Sequence, residues 1–272
     1  MKQNSIFKCL LICIAMASSF SSAESKNPAS SIKEEVVTYS DNGVTLKGMV
    51  AYDSNLKGKR PAVIVVPEWW GLNDYAKMRA RKLAELGYIA IAADMFGEGR
   101  IAANPQEAQA FTTPFYKDPH LAKSRVDAAI KKIKEFPQTD PANIGAIGYC
   151  FGGFVVLNSA KMGGDLKGVV SFHGGLGGVP VSKDLLKAKV LVCQGGSDKF
   201  VSMDDYNSLK HKLDSIGADN TFRVYANATH AFTNPDATKI GKQFNMPIEY
   251  NEKADMDSWN DMKAFLTRIF KK

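Results

Sequence analysis

The sequence predicts an α/β protein with a mostly parallel central sheet and helices on both faces. Short apolar runs typical of buried parallel strands recur along the chain, and segments of helical period separate them. The chain has 272 residues, 45% of them hydrophobic, which is enough for one large core. Strands that alternate with helices in this way pair in parallel, and the connecting helices cover both faces of the sheet.

The first 23 residues predict a signal peptide that is not part of the folded domain. Two lysines form a basic start, the apolar run that follows is too short to cross a bilayer, and Ser21-Ser22-Ala23 supplies small residues for cleavage. A frayed or membrane-anchoring N-terminus is the alternative. We therefore expect residues 24–272 to form a single exported domain, periplasmic or secreted, without a membrane association after cleavage.

Charge and residue spacing exclude several classes of partner. The net charge is +7, and loss of the two leader lysines leaves 7 − 2 = +5, without a basic cluster, so nucleic acid is not expected as a partner. The cysteines and histidines lack zinc-site spacing, and the glycine-rich turns lack a dinucleotide fingerprint. We therefore expect no metal and no cofactor. The sequence does not define an oligomeric state, and a monomer is the working expectation.

The elements follow one another in a regular order. Residues 34–39 and 44–52 alternate apolar and polar side chains around Asp41-Asn42-Gly43, which predicts an opening antiparallel hairpin. Further strands are predicted at 62–66, 88–93, 144–149, 168–172, 190–193 and 222–225, and helices at 75–86, 121–136, directly after Cys150, and at 203–216 and 258–270.

Residues 148–152 predict a tight strand-to-helix turn with a cysteine nucleophile at its apex. They match the pattern G-x-[nucleophile]-x-G, with Cys150 where serine is more common. Glycine is required at both flanks because a Cβ there would collide with the adjoining strand or helix. The sulfur would lie at a helix N-terminus, where unpaired N–H groups favour an anion. We therefore expect Cys150 to serve as a thiolate nucleophile.

A base and an acid for this nucleophile follow later strands. Ligands of parallel sheets bind at the carboxyl ends of the strands, and in this architecture the chain order is nucleophile, acid, histidine. Cys150, Asp198 and His230 satisfy that order. His173 is the rival base, which we interpret as a pocket wall or a hydrogen-bonded core histidine, and Asp94 suits a turn-stabilising acceptor.

Four separated motifs together resemble the dienelactone hydrolase family of α/β-hydrolases, over about residues 35–270. The motifs are Gly148-Tyr149-Cys150-Phe151-Gly152-Gly153, Gly196-Ser197-Asp198, His230-Ala231-Phe232, and Pro67-Glu68 followed by Gly71-Leu72-Asn73. The resemblance implies an α/β-hydrolase fold and a triad of Cys150, His230 and Asp198. It also implies that Glu68 contacts the resting thiol and helps it to ionise.

The same resemblance locates an oxyanion hole and a pocket. The backbone N–H groups of Trp69 and Phe151 would point at the developing oxygen charge. Trp69 and Trp70 follow a strand directly, which favours an apolar ligand site beside them. Residues 111–120 are expected to add a small wall.

The sequence departs from the family at two pocket positions. Family members that act on dienelactone hold the substrate carboxylate with two arginines, and the matching positions here are Glu98 and Asn234, with Arg100 close to the first. A substrate carboxylate would meet repulsion from Glu98. We therefore expect neutral esters or lactones to be preferred.

These residues predict a hydrolase that cleaves an ester, lactone or thioester of a small-molecule substrate through an acyl-enzyme. The alternative is a non-catalytic exported binding or interaction protein with the same fold and an idle triad. A redox-sensor role for Cys150 is a third possibility. It lacks a resolving partner, because Cys193 lies inside an apolar run that predicts a buried thiol.

Overall fold

The computed structural model describes Met1 and residues 31–270. Apart from Met1, the expected signal peptide and its cleavage site lie outside these residues. Eight strands of the described chain form one sheet: β1 (Ile32–Asp41), β2 (Val44–Asp53), β3 (Arg60–Val66), β4 (Ile89–Ala92), β5 (Thr139–Tyr149), β6 (Gly168–Phe172), β7 (Lys189–Gly195) and β8 (Asn220–Tyr225). Their spatial order is β1-β2-β4-β3-β5-β6-β7-β8.

The sheet is parallel from β4 to β8 and antiparallel only where β2 pairs with β1 and β4. This confirms the predicted mostly parallel sheet. The opening hairpin is also confirmed. Asn42 and Gly43 both have positive φ, 48° and 79°, which is the backbone that a two-residue turn between right-twisted strands requires.

Seven helices of the described chain accompany the sheet: α1 (Asp74–Glu85), α2 (Pro105–Lys117), α3 (Pro119–Lys134), α4 (Phe151–Lys161), α5 (Met203–Ser215), α6 (Ala237–Phe244) and α7 (Glu252–Ile269). Five correspond to predicted helices. The last begins earlier than the sequence indicated, because the Asn251 side chain caps it by accepting from the Ala254 N–H. Two helices, α2 and α6, were not predicted.

Hydrophobic cores lie on both faces of the sheet. Alternate residues of one strand point to opposite sides, so that Ile64 of β3 joins one core while Val63 and Val65 join the other. The core of Ile64 contains buried residues of α3, α4 and α5, and the second core contains those of α1 and α7. This confirms the prediction of helices on both faces.

The parallel strands direct their carboxyl ends to one edge of the sheet. There the chain leaves β3 at Glu68, β5 at Cys150, β6 at His173 and β7 at Asp198, and His230 follows β8. None of the described helices combines the length and the apolar character that crossing a bilayer demands.

Candidate active site

Cys150 occupies a strained turn between β5 and α4. Its backbone has φ 52° and ψ −113°, a region that residues with a side chain rarely adopt. The turn is tight enough to exclude side chains at its flanks. A Cβ on Gly148 would lie 2.0 Å from the Gly152 carbonyl oxygen, and one on Gly152 would lie 2.2 Å from the Val66 carbonyl oxygen. Glycine is therefore the residue that fits at both positions.

Asp198 and His230 are joined by a direct hydrogen bond. The His230 Nδ1 and Asp198 Oδ2 atoms are 2.9 Å apart, and the Asp198 side chain is fully buried. The other Asp198 oxygen accepts from the backbone N–H groups of Phe200 at 2.8 Å and Val201 at 3.1 Å. Gln194 also donates to Oδ2, at 2.7 Å. The carboxylate is thus fixed from several sides and orients the imidazole.

The imidazole of His230 lies beside the Cys150 sulfur. Burial alone lowers the pKa of His230, but the negative charge of Cys150 and the hydrogen bond to Asp198 outweigh it and raise the pKa to about 10. The doubly protonated ring therefore persists through neutral pH. Phe200 shields this ring edge-on, with centroids 5.0 Å apart. Cys150 and Asp198 together thus favour the protonated form of the His230 ring.

Glu68 is a buried carboxyl group at the floor of the same site. Burial raises the pKa of Glu68 to about 7, while the hydrogen bond from Asn234 and the charges of His230 and Arg79 act in the opposite direction. The Asn234 Nδ2 donates to Glu68 Oε2 at 2.7 Å. The group can consequently gain or lose a proton near neutral pH.

Two backbone amides next to the nucleophile have no acceptor within the described chain. They are the N–H groups of Trp69, which follows Glu68, and of Phe151, the first residue of α4. Free N–H groups at a helix start and in an adjacent loop can bind an oxygen that develops negative charge. Two such groups beside the nucleophile are what an oxyanion hole requires.

A cavity of about 500 Å³ opens onto Cys150. It brings together six of the residues that the sequence singled out. They are Glu68, Trp69, Trp70, Cys150, His230 and Asn234. The remaining lining is mostly apolar and comes from the α2 face, the α6 region and two loops: Gln109, Thr112, Thr113, Tyr116, Lys117, Gly175, Phe200, Val201, Ala231, Ala237, Ile240, Met246 and Ile248.

Two predicted pocket residues do not line this cavity. Glu98 is exposed and does not face the cavity, and its carboxylate lies 2.7 Å from Lys47 Nζ. His173 is fully buried behind the nucleophile, which corresponds to the hydrogen-bonded core histidine and not to a pocket wall. Arg100 is also held away from the cavity, because its guanidinium donates to the Phe96 and Gly97 carbonyl oxygens. The expected repulsion from Glu98 inside the pocket is therefore wrong.

Asp94, the other acid considered for the triad, stabilises a turn. Its Oδ1 accepts from the Phe96 and Gly97 N–H groups, both at 3.0 Å, and its Oδ2 accepts from Gly99 N–H at 2.8 Å. These three partners are local, as the prediction of a turn-stabilising acceptor requires. The Lys47 N–H of β2 also donates to Oδ2, at 2.9 Å, and so ties the turn to the neighbouring strand.

Sequence reasoning missed most of the cavity wall. It anticipated a wall from residues 111–120, and four of them line the cavity: Thr112, Thr113, Tyr116 and Lys117. Phe115 is instead buried against Phe151. Burial, with the charge of Cys150 adding to it, raises the pKa of the Tyr116 phenol above its usual range. The start of α2 carried a readable signal, because Asn104 is an N-cap followed directly by Pro105.

The second cysteine of the described residues is separate from the site. Cys193 is fully buried in β7, and burial, partly offset by a hydrogen bond from Tyr225, raises the pKa of its thiol to about 12. Neither Cys150 nor Cys193 forms a disulfide. Within the part of the chain that the structure describes, no three His, Cys, Asp or Glu side chains group as metal ligands would.

The fold and this arrangement define the protein as an α/β-hydrolase with a thiol at the nucleophile turn. A model of the dienelactone hydrolase family matches residues 46–270. The chain belongs to the dienelactone hydrolase family, and it is a hydrolase of the type that acts on esters or lactones.

Relatives and solved structures agree with this assignment. A candidate carboxymethylenebutenolidase of Aquifex aeolicus (strain VF5) is 28% identical over 241 residues, which cover 85% of this chain and 99% of that protein. A dienelactone hydrolase-like promiscuous phosphotriesterase from metagenomic libraries is 31% identical, with a TM-score of 0.82 over 89% of this chain and 100% of its own. A candidate dienelactone hydrolase from Klebsiella pneumoniae subsp. pneumoniae, 22% identical with a TM-score of 0.74 over 87% and 98%, shows the fold alone.

Proposed function

We propose that the protein is a cysteine-dependent hydrolase that cleaves an ester, lactone or thioester through an acyl-enzyme on Cys150. The observation that carries this proposal is the 2.9 Å bond between Asp198 and His230, with the His230 ring beside Cys150 and all three next to one cavity. This is the order of contacts that a nucleophile, a base and an orienting acid require.

The first half of the reaction forms the acyl-enzyme. The Cys150 thiolate attacks the carbonyl carbon, the carbonyl π electrons move onto oxygen, and the N–H groups of Trp69 and Phe151 hold the resulting oxyanion. When the tetrahedral intermediate collapses, the C–O bond (C–S in a thioester) breaks. His230 then gives its Nε2 proton to the departing oxygen or sulfur. In a lactone the departing group stays attached through the acyl chain.

The second half releases the acid. A water molecule loses a proton to the now neutral His230 and attacks the thioester carbonyl, and the same two amides hold the second oxyanion. Collapse of this intermediate breaks the C–S bond and restores the thiolate next to the imidazolium. Asp198 keeps the imidazole in one orientation through both halves.

Glu68 contributes to the charge state of the resting site. With a pKa near 7 it can accept a proton at neutral pH, and its position beside Asn234 and His230 places it at the cavity floor near Cys150. We assign it the role of assisting thiol ionisation before substrate binds.

The cavity favours a neutral substrate with an apolar portion. Two indoles and the side chains of Ile240, Met246 and Ile248 form much of its wall, and no arginine is among the described residues that line it. Lys117 lies at its rim but is exposed, so that solvent screens its attraction for a carboxylate. The preference for neutral substrates therefore rests on the apolar lining and not on repulsion from Glu98.

Hydrolysis of p-nitrophenyl esters by the purified mature protein tests the proposal. Cys150→Ala and His230→Gln should each lower kcat/KM by at least about 1000-fold, with a smaller loss for Asp198→Asn, because triad members act as a unit. Cys193→Ala is the matched control, since that thiol is buried in the sheet, and it should retain activity. Substantial hydrolysis by Cys150→Ala would rule out the thiol nucleophile.

The same preparation separates this function from a non-catalytic binding role. If the site is active, iodoacetamide should alkylate Cys150 much faster than Cys193. An idle binding protein should show neither selective alkylation nor ester turnover.

Hydrolysis of a neutral phosphotriester is a second candidate activity. It is favoured by the phosphotriesterase that shares 31% identity over 89% of this chain, and by a mostly apolar cavity of about 500 Å³ beside the nucleophile. A neutral aryl dialkyl phosphate in the substrate panel tests it. Turnover should be absent in Cys150→Ala, and equal turnover in that variant would contradict attack by the thiolate at phosphorus.

We also propose that the protein is exported, on the basis of its N-terminal sequence pattern. N-terminal sequencing of protein recovered from the exported fraction should give Glu24 as the first residue. Recovery of intact Met1 in a membrane fraction would contradict cleavage.

A further inference from the structure

We propose that His173 is a positioning residue that joins the nucleophile turn to the catalytic histidine loop through the hydroxyl of Thr233. This inference rests on the proposed function, because it concerns the spacing of Cys150 and His230. His173 and Thr233 are both fully buried, and neither lines the cavity. Their contacts connect the nucleophile turn with the loop that carries His230.

The imidazole of His173 spans the gap between the two segments. Its Nδ1 accepts a hydrogen bond from the Cys150 N–H at 3.1 Å. Its Nε2 is 2.7 Å from the Thr233 Oγ1. Because Nδ1 is an acceptor, a neutral ring carries its proton on Nε2, and that N–H donates to the hydroxyl oxygen. One ring therefore contacts the backbone of the nucleophile and the loop of the base at the same time.

The neutral form of His173 is favoured by its surroundings. Burial lowers the pKa of His173 well below its usual value, and the positive charges of His230 and Arg79 act in the same direction. A second ring proton would also place an N–H against the Cys150 N–H. Nδ1 of His173 consequently remains an unprotonated acceptor at neutral pH.

The Cys150 end of the bridge stabilises a strained backbone. The residue has φ 52°, a conformation that persists only where surrounding contacts hold it. Its N–H donates both to the Phe172 carbonyl oxygen at 2.9 Å and to His173. Removal of the second acceptor loosens the turn that aims the sulfur.

The Thr233 end fixes the loop that carries the base. Thr233 lies three residues after His230, and the intervening Ala231 also has positive φ, 58°. Tyr75 shares the Thr233 hydroxyl at 2.6 Å, and the buried Arg79 donates to the Thr233 carbonyl oxygen. The loop is thus anchored to β6 through His173 and to α1 through Tyr75 and Arg79. Of these anchors, His173 is the one that also holds the nucleophile.

The expected consequence concerns catalysis more than binding. A displacement of about 1 Å between reacting groups can cost about 100-fold in rate. The bridge does not touch the cavity, so its loss should leave substrate affinity nearly unchanged. Loss of the bridge should also slow attack by Cys150 on a small alkylating agent, which needs no substrate site.

Thr233→Val is the sharpest variant, because valine keeps the shape of threonine and lacks the hydroxyl. Its kcat should fall about 10- to 100-fold with KM changed less than about threefold, and iodoacetamide should alkylate Cys150 correspondingly more slowly. Thr233→Ser restores the hydroxyl and should restore both rates. His173→Asn keeps an acceptor near the Cys150 N–H but gives up the contact with Thr233, and it should behave as Thr233→Val does.

Thr139→Val is the matched control. Thr139 is also a buried threonine whose hydroxyl makes a hydrogen bond, to the Ile133 carbonyl oxygen at 2.6 Å, but it lies at the opposite end of β5 from Cys150. This change should lower the melting temperature and leave kcat and the alkylation rate unchanged.

Two results would overturn the proposal that His173 and Thr233 position Cys150. One is a folded Thr233→Val or His173→Asn enzyme whose kcat and alkylation rate stay within about threefold of the wild type. The other is a loss in Thr139→Val equal to that in Thr233→Val, which would assign the effect to stability. A wild-type protein without esterase activity would instead contradict the proposed function, and the alkylation rates would still decide whether the bridge positions Cys150.

Discussion

The floor and the outer wall of the cavity are built in different ways. The floor is formed by residues at the carboxyl ends of parallel strands, among them Cys150 and His230. Asp198 lies behind the histidine and holds it by a hydrogen bond, and close backbone contacts fix the turn around Cys150. The wall consists of faces of α2 and α6, whose contacts are mainly apolar, such as the packing of Phe244 on Trp70 with ring centroids 5.8 Å apart. A substitution in the floor therefore disturbs hydrogen bonds or backbone contacts, whereas one in the wall removes mainly apolar contact.

This difference separates chemistry from substrate choice. Changes in the floor should alter bond making at Cys150 whatever the substrate, because they act on the nucleophile or its base. Changes in the wall should alter which acyl or alcohol group is accepted.

The largest effect is expected from the nucleophile turn. In Gly152→Ala the new Cβ would lie 2.2 Å from the Val66 carbonyl oxygen and 2.7 Å from that of Pro67, both rigid backbone atoms. We expect at least about a 100-fold loss of kcat/KM, because the turn must shift by a substantial fraction of an ångström. Steady-state kinetics on a short-chain ester measures it.

Gly177→Ala is the control for that change. A Cβ on Gly177 meets nothing within 4 Å, so this variant should retain activity and stability. Comparable losses in the two variants would show that the turn is not special and would break the contrast between floor and wall.

The next effect concerns the buried carboxyl of the floor. Burial raises the pKa of Glu68 from 4.5 to about 7, so that between these values the folded protein binds more protons than the unfolded chain. Stability should therefore fall as pH rises through this window, by at most about 3 kcal/mol from this group. Glu68→Gln removes the titration and should flatten the decline.

Urea unfolding at a series of pH values measures that slope. Glu249 is exposed, and Glu249→Gln should leave the slope as it is in the wild type. An unchanged slope in Glu68→Gln would mean that Glu68 does not titrate in this window.

The smallest effect is expected from the wall. Ile240 of α6 lines the cavity, and Ile240→Ala removes apolar contact without approaching the triad. We expect kcat/KM for a hexanoate ester to fall about tenfold while that for an acetate ester stays within about twofold. The neighbouring exposed Lys239 supplies a control in Lys239→Ala. Equal losses for both esters would show that the wall also affects the chemistry.

The floor was largely readable from the sequence, and the wall was not. Strands β3 to β7 each contain a short apolar run that predicts a buried strand. The glycines around Cys150 predict the turn, because a Cβ at either position would collide with backbone atoms. Helix α2 was hidden by Pro114 inside it, and α6 spans only eight residues, too few for a clear period.

Two further features depend on the folded chain. Glu98 lies in the loop after β4, at the same edge of the sheet as the site. Its own φ is positive, 57°, and its carboxylate points to Lys47. The bridge from His173 to Thr233 joins residues that are 60 positions apart in the chain. Neither the direction of a loop side chain nor a contact at such separation is encoded in local periodicity.

Trapping the acyl-enzyme tests directly whether Cys150 is the nucleophile of an ester hydrolase. The wild-type protein, mixed with an ester whose acyl-enzyme hydrolyses slowly and quenched within the first turnover, should carry the acyl mass on the peptide that contains Cys150. No acyl group should be found on Cys193, and Cys150→Ala should show none at all. Turnover without any acylated peptide, or an acyl group on another residue that is chemically competent for turnover, would contradict the mechanism.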